Sequence, residues 1–253
     1  MREIEEITIY DVDAFVREVV PPLGFQRHPI YRGQADSRWS VVPGLMREDL
    51  AKTEFSKWGE FEASLLWKFK QQTMGTIGAE PHSELEWISI AQDAGLPTRF
   101  TSWTEDALTA LYFACQDSPG LGDGDGAVYR ILSGERKLVV SQDHEQVPEA
   151  ARVYNPRRAT AEMRAQSTCF VSHPLPELDT PSISFEDYFQ CSDEPMHLAK
   201  IVIPAEAKRH MRQTLSSLGT HAAKLFPGMP GIAAKIRDEV YSHTDAYDWV
   251  ISG

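Results

Sequence analysis

Residues 91–116 read AQDAGLPTRFTSWTEDALTALYFACQ, and this stretch constrains local structure more than any other part of the chain. Gly95 predicts the end of a preceding helix over Ser83–Ala94. An extended connector follows, and Glu105–Gln116 then predicts a second helix, with Thr104 as its N-cap and acidic residues in its first turn. One face of that helix is apolar: Leu108, Leu111, Tyr112 and Cys115. The stretch therefore predicts a helix, a connector rich in hydroxyl groups, and another helix.

Further helices and short extended segments flank this stretch. Apolar residues at helical spacing predict helices over Asp11–Val20, Thr53–Gln72, Ala207–Leu218 and Met229–Tyr241. Extended segments are predicted at Pro29–Gly33, Arg38–Val42, Ala127–Leu132, Arg164–Ser172 and Ala199–Ile203. The pattern favours an α+β fold class, with a single domain over residues 1–253 in which small mixed or antiparallel sheets form a cleft surrounded by helices.

Composition excludes several classes of protein. The 253 residues are 42% hydrophobic and 25% charged, which is typical of a globular domain. No apolar run approaches the roughly 20 residues that span a bilayer, and the acidic N-terminus is not a signal peptide. The net charge of −12 does not indicate a nucleic-acid partner. Three cysteines without paired spacing favour free thiols and a cytoplasmic location.

The first candidate site is the string Tyr31-Arg32-Gly33-Gln34. An arginine on a short strand, followed by glycine, places a guanidinium beside bare backbone. This arrangement suits a phosphate or a carboxylate, because the guanidinium donates two parallel hydrogen bonds and glycine allows close approach. The alternative is an arginine held in a structural salt bridge.

The second candidate site is the connector between the two central helices. Its hydroxyl and guanidinium groups surround one indole ring, that of Trp103, next to a helix N-terminus, where anions bind readily. These groups belong to Thr98, Arg99, Thr101, Ser102 and Thr104. The alternative is simple N-capping by Thr104 with neighbours that face solvent.

Several strings in the chain together resemble the FRG domain, a family named for its Phe/Tyr-Arg-Gly opening. They are Tyr31–Gln34, Trp39–Pro43, Trp87–Gly95, Leu96–Arg99 running into Trp103-Thr104, and Ala107–Ala114; later and weaker matches are Ala165-Gln166 with Phe170, and Leu225–Gly231. The resemblance spans residues 8–240. The chain departs from the family pattern at Asp93, Thr101-Ser102, Glu162 and Thr168, where the family usually has His, Leu-Asp, Arg and Gly.

A looser likeness connects the same strings to arginine-type ADP-ribosyltransferases. It implies that Arg32 holds an NAD phosphate or ribose and that Ser102 or Thr101 shapes the nicotinamide pocket. A carboxylate or strong acceptor must then face the cationic ribose of the transition state. Gln166 matches the later family motif without a charge, whereas Glu162 has the charge but departs from the family.

Two functions remain open at this point. In the first, the protein is an NAD-dependent transferase or glycohydrolase, and the resemblance implies a toxin or phage-defence effector with a macromolecular acceptor or a neutralising partner protein. Arg32 and Arg99 anchor the dinucleotide phosphates, and Trp103 packs on a ring. In the second, the same cleft binds a nucleotide or a peptide and signals to a partner without turnover. A carboxylate across the cleft from Arg32 favours the enzyme, and Gln166 alone favours the binding module.

No metal site is predicted. The eight histidines are scattered, without a His-Glu-x-x-His pattern, and no cysteine pair is present.

Overall fold

A mixed sheet of seven strands organises the chain. The computed structural model describes residues 2–20, 29–77, 80–117, 124–133, 150–157, 159–176, 183–193 and 196–247. The strands are β1 (Glu5–Thr8), β2 (Ile30–Gln34), β3 (Phe100–Thr104), β4 (Gly126–Ser133), β5 (Arg152–Tyr154), β6 (Thr168–Ser172) and β7 (Met196–Ile203). Their order is β1-β7-β4-β2-β3-β6-β5, with β1 and β7 parallel and all other neighbours antiparallel.

The α+β class is confirmed, but the expectation of several small sheets is wrong. Strands β2 and β3 join the two halves of the sheet through the single residue pair Tyr31 and Thr104. Neighbours in this sheet are far apart in sequence, so local patterns do not reveal that the halves form one sheet.

Nine α-helices lie among the described residues. They are α1 (Val12–Val19), α2 (Trp58–Thr73), α3 (Glu84–Asp93), α4 (Ala107–Ala114), α5 (Ala161–Ala165), α6 (Phe185–Cys191), α7 (Ala205–Ser217), α8 (Ala222–Leu225) and α9 (Met229–Tyr247). Short 3₁₀ helices occur at Leu45–Arg47 and Leu50–Lys52. Helix α3 agrees with its prediction to within one residue at each end, because Ser83 caps it and Gly95 adopts a φ of 88° after it.

The predicted N-cap of the central helix is wrong. Asp106, not Thr104, is the N-cap of α4, since its carboxylate accepts from the backbone N–H groups of Leu108 and Thr109. Thr104 is instead the last residue of β3, which pairs with β6 over its whole length. Sheet pairing therefore turns the predicted connector into a strand and shortens the helix.

Two other predicted segments also differ in the structure. Arg164–Ser172, expected to be extended, contains the end of α5 and then β6, because the Thr160 side chain caps a short helix at Ala161. Arg38–Val42 has no regular structure. Helix α2 begins at Trp58, five residues later than predicted.

The two faces of β2 have different surroundings. Tyr31 packs in a core with α1, α4 and α7. Gly33 lies on the same face, where a Cβ atom would stand 1.9 Å from the carbonyl oxygen of Ala110 in α4. The other face carries Ile30, Arg32 and Gln34, and Ile30 joins a second core with Tyr129 and Phe185. Glycine at position 33 thus allows α4 to pack on the strand, and the arginine points away from that helix.

None of the described helices is both long and apolar enough to cross a membrane. The described residues also contain no group of three or more His, Cys, Asp or Glu side chains placed to hold a metal ion.

Candidate functional site

A pocket of about 810 Å³ opens at the C-terminal end of β2. Its volume lies in the range of small-molecule sites. The residues lining it come from β2, from the irregular segment after it, and from α4: Arg32, Gly33, Gln34, Ala35, Arg38, Trp39, Ser40, Val42, Met46, Arg47, Phe113 and Gln116. Among the described residues, the lining includes three arginines and no aspartate or glutamate, although the whole chain has a net charge of −12.

Arg32 stands at the inner side of this pocket. Its Nη1 donates to the carbonyl oxygen of Ser102 at 2.7 Å, which fixes the guanidinium across the gap between β2 and β3. Its Nε is buried and has no hydrogen-bond partner among the described residues. Burial, and then repulsion from Arg47, lowers the pKa of Arg32 to about 10. The side chain is therefore a desolvated cation at neutral pH, and it has a donor to spare.

Gln34 is the second residue with an unused polar atom. It is 4% exposed, and its Oε1 has no partner among the described residues. Strand alternation places it on the same face of β2 as Arg32. Lys208 of α7 supports this end of the pocket, because its Nζ donates to the carbonyl oxygens of Ala35 at 2.6 Å and Gln116 at 3.3 Å. The inner end thus presents one buried donor and one buried acceptor, both unused.

The outer part of the pocket is cationic and aromatic. Arg38 forms two side-chain hydrogen bonds with Asp36, at 2.9 and 2.6 Å. These bonds lower the pKa of the Asp36 carboxyl to about 2. Arg47 donates to the carbonyl oxygen of Val42. Trp39 is 41% exposed and lines the same pocket as these two arginines.

The carboxylate of Glu186 influences Arg32 without lining the pocket. Glu186 of α6 accepts from the backbone N–H of Val41 at 3.2 and 3.1 Å. Its charge acts on Arg32 and raises the pKa of that group, against the larger effect of burial. The same carboxylate also raises the pKa of Tyr129, after the main effect of burial.

The opening string was predicted as one ligand-binding unit, and the structure divides it. Arg32, Gly33 and Gln34 line the pocket. Tyr31 lies on the opposite face, where its hydroxyl donates to the carbonyl oxygen of Val19 at 3.3 Å. Burial raises the pKa of Tyr31, which keeps its hydroxyl protonated. Tyr31 is thus a core residue behind the site.

Arg99 is committed to a carboxylate in another part of the fold. Its guanidinium forms an ion pair with Glu62 of α2 at 2.5 Å, and its backbone N–H donates to the same carboxylate at 2.7 Å. It does not line the pocket. Thr98 is fully buried, and its hydroxyl donates to Gln92 and accepts from the backbone N–H of Phe100. Both residues fasten the start of β3 to the neighbouring helices.

Thr101 and Trp103 form a buried polar chain. The indole N–H of Trp103 donates to the Thr101 hydroxyl at 2.8 Å, and that hydroxyl lies 2.9 Å from Nε2 of His173. Burial, and then the charge of Arg32, lowers the pKa of His173 to about 3, so the ring is neutral at pH 7. Trp103 is 2% exposed and packs edge-on against Phe185. The Trp103 indole is therefore part of the core, and Trp39, not Trp103, presents an exposed tryptophan in the pocket.

The remaining predicted residues lie away from the pocket lining. Ser102 meets Arg32 through its backbone carbonyl, while strand alternation directs its side chain to the opposite face. The Thr104 hydroxyl donates to the carbonyl oxygen of Gln166 at 2.6 Å. The Gln166 amide donates to Glu162 and to the carbonyl oxygen of Leu225, each at 3.1 Å. The structure thus joins Arg32 to the Ser102 backbone but does not bring Gln166 or Glu162 into the pocket.

Among the pocket residues that sequence reasoning did not select are Arg38, Trp39 and Arg47. Trp39 was noted as part of a family string, but no pattern distinguished an exposed ring from a buried one. Arg38 and Arg47 occur in a segment without periodicity, and only the fold of that segment brings them to Arg32. The surplus of arginine within 16 residues of an acidic chain was the available signal.

The chain was compared with protein families, curated proteins and solved structures. The family model described as FRG domain matches residues 27–120. Neither the curated proteins nor the solved structures give a match. The matched segment is shorter than the resemblance expected from the sequence, and it leaves the strings after residue 120 outside. All twelve described residues that line the pocket lie within the segment that matches the FRG domain model.

Proposed function

We propose that the pocket binds a nucleotide, with the phosphates near Arg32, Arg38 and Arg47 and an aromatic ring against Trp39. One observation carries the proposal: among the described residues, a pocket lined by three arginines and no carboxylate contains two buried polar atoms without a hydrogen-bond partner. Guanidinium groups suit phosphate oxygens, and a base stacks on an exposed indole. The volume of about 810 Å³ accommodates a ligand of this size.

NAD is the first ligand to test, because the likeness to arginine-type ADP-ribosyltransferases implies it. Thermal-shift measurements on the full chain with NAD, ADP-ribose, ADP and inorganic phosphate should show stabilisation by the nucleotides. Arg32→Met should weaken nucleotide binding roughly ten- to hundredfold, because a charged hydrogen bond contributes about 1.5–3 kcal/mol. Arg17→Met is the matched control, since Arg17 forms an exposed ion pair with Asp13 within α1.

The outcomes separate the proposal from its alternatives. Equal weakening by both variants would indicate a general charge effect, and no stabilisation by any nucleotide would contradict the proposed site. If inorganic phosphate stabilised the protein as strongly as the nucleotides do, the pocket would be an anion site in which Trp39 has no role.

The second candidate is catalytic ADP-ribosyl transfer at the same pocket. The observation that favours it is Glu186, a carboxylate close enough for its charge to act on Arg32. In such a reaction the bond between ribose C1′ and the nicotinamide nitrogen breaks, its electron pair leaves with nicotinamide, and an acceptor nucleophile or water binds C1′ and loses a proton. A carboxylate stabilises the positive charge that develops on the ribose.

Nicotinamide release from NAD tests the transferase directly. Release by wild-type protein that is lost in Glu186→Gln, with NAD binding retained, would support a role for this carboxylate. Ser102→Ala, Gln166→Ala and Glu162→Gln test the roles implied by the family likeness. Binding of NAD without release of nicotinamide would instead support a non-catalytic nucleotide-binding module that signals to a partner.

The biological setting is part of the same proposal. A growth-arresting effector, acting as a toxin or against phage, needs a macromolecular acceptor and control by a partner protein. The thiols of Cys115, Cys169 and Cys191 are free, which fits a reducing cytoplasm. Expression of wild-type protein should slow growth and expression of Arg32→Met should not; equal growth would argue against this setting.

A further inference from the structure

We infer that the inner end of the pocket binds a sugar hydroxyl, and that Gln34 is the specificity-determining residue that accepts its hydrogen bond. The inference rests on the proposed nucleotide site, and it adds which chemical group of the ligand lies at the inner end of the pocket. It predicts that the ligand contains ribose in preference to deoxyribose.

The two residues that have an unused polar atom are neighbours on one face of β2. Arg32 and Gln34 are two residues apart on β2, which places their Cα atoms roughly 7 Å from each other on the same side of the sheet. Arg32 Nε is a donor and Gln34 Oε1 is an acceptor, and neither has a partner among the described residues. A buried polar atom without a partner destabilises the folded chain, so a ligand that pairs with both atoms gains affinity.

The outer residues already suit the other parts of a nucleotide. Arg38, Trp39 and Arg47 are exposed, whereas Gln34 is 4% exposed. Phosphates and base therefore find cationic and aromatic partners near the mouth, and the group that reaches Gln34 must fit a buried site with mixed polarity.

The chemistry of the two atoms selects the ligand group. An ionised phosphate only accepts hydrogen bonds, so it pairs with Arg32 Nε and leaves Gln34 Oε1 unsatisfied. A hydroxyl oxygen accepts one hydrogen bond and donates another, and thus pairs with both atoms. In a nucleotide, the hydroxyl groups near a phosphate are those of ribose.

The first measurement compares three ligands on the full wild-type chain. Dissociation constants for ADP, 2′-deoxy-ADP and 3′-deoxy-ADP are measured by calorimetry in one buffer. We expect one of the deoxy ligands to bind about tenfold more weakly than ADP. That ligand lacks the hydroxyl that pairs with Gln34 Oε1, so the buried acceptor stays unpaired in its complex. This comparison needs no variant.

Two variants then identify the residue responsible. Gln34→Met has a similar volume and no side-chain acceptor, so it should bind ADP and the deoxy ligand equally. Gln34→Glu keeps an acceptor at the same position, and it should retain the preference for ADP. Circular dichroism checks that each variant is folded before its constants are compared.

Each result has a distinct meaning. A ribose preference that Gln34→Met abolishes and Gln34→Glu retains supports the inference. Equal affinity of wild-type protein for all three ligands, or a preference that survives in Gln34→Met, overturns it while the nucleotide site stands. Failure of all three ligands to bind overturns the nucleotide site and this inference together.

Discussion

Two polar regions face each other across the join between β2 and β3: the pocket around Arg32 and the segment Thr98–Thr104. Both are rich in hydroxyl or guanidinium groups, and both were candidate sites. In the segment, the hydroxyls of Thr98, Thr101 and Thr104 each bond to another protein group. In the pocket, one donor atom and one acceptor atom have no hydrogen-bond partner among the described residues. The number of polar residues is therefore a weaker criterion for a candidate site than the presence of unsatisfied polar atoms in a cavity.

Among these predictions, breaking the ion pair between Arg99, in the segment Thr98–Thr104, and Glu62 should change stability most. Glu62 is buried and bonds both the side chain and the backbone of Arg99. Glu62→Gln should lower the free energy of unfolding by about 3–5 kcal/mol, because it leaves a buried guanidinium without a counter-charge. Urea denaturation measures the loss.

A control on the same helix sharpens this test. Glu60→Gln removes an exposed partner of Lys57 and should cost less than about 1 kcal/mol. Nucleotide binding should stay unchanged in both variants. If Glu62→Gln abolished binding without loss of stability, the comparison between the two regions would be wrong.

His173, which is buried beside Thr101 of the segment Thr98–Thr104, should make the free energy of unfolding depend on pH. The folded chain takes up a proton at His173 only near pH 3, whereas the unfolded chain does so near the ordinary pKa of 6.5. The contribution of the neutral ring is therefore complete above pH 6.5 and is lost as the pH falls towards 3. At pH 5 the loss should be about 2 kcal/mol.

Urea denaturation at pH 7 and pH 5 tests this expectation with His173→Gln as the comparison. At pH 7, His173→Gln should be less stable than wild type, because the hydrogen bond between His173 and Thr101 is altered. Between pH 7 and pH 5, its free energy of unfolding should fall less than that of wild type. A loss equal to that of wild type would place the pH dependence elsewhere in the chain.

The smallest expected effect concerns the two tryptophans. Trp39 is exposed in the pocket and Trp103 is buried in the core. Trp39→Ala should weaken nucleotide binding about tenfold through lost stacking, with stability changed by less than about 0.5 kcal/mol. Trp67→Ala, at an exposed tryptophan of α2 outside the pocket, is the control for both measurements. Unchanged affinity in Trp39→Ala would remove the ring from the proposed site.

Local patterns predicted several elements well. Ser83 and Gly95 act over a few residues, so the bounds of α3 agree with the structure. The predicted apolar face of α4 and its C-cap is buried at Leu111, Tyr112 and Cys115, and partly buried at Leu108. The errors occur where pairing with distant residues competes with a local preference. Thr104 is a suitable N-cap by type, but its place in β3 opposite Thr168 leaves that role to Asp106.

Spacing, capping and motif strings are local properties of the chain, and they were enough to predict the α+β class, the main helices and the resemblance to the FRG domain. Which polar residues keep an unpaired atom depends on how distant segments pack together. Arg99 pairs with Glu62, Trp103 donates to Thr101, and Gln34 Oε1 has no partner in the part of the chain that the structure describes. Each of these outcomes depends on residues that come into contact only when the sheet assembles. Whether a buried polar group has a hydrogen-bond partner is therefore decided by tertiary packing and not by local sequence.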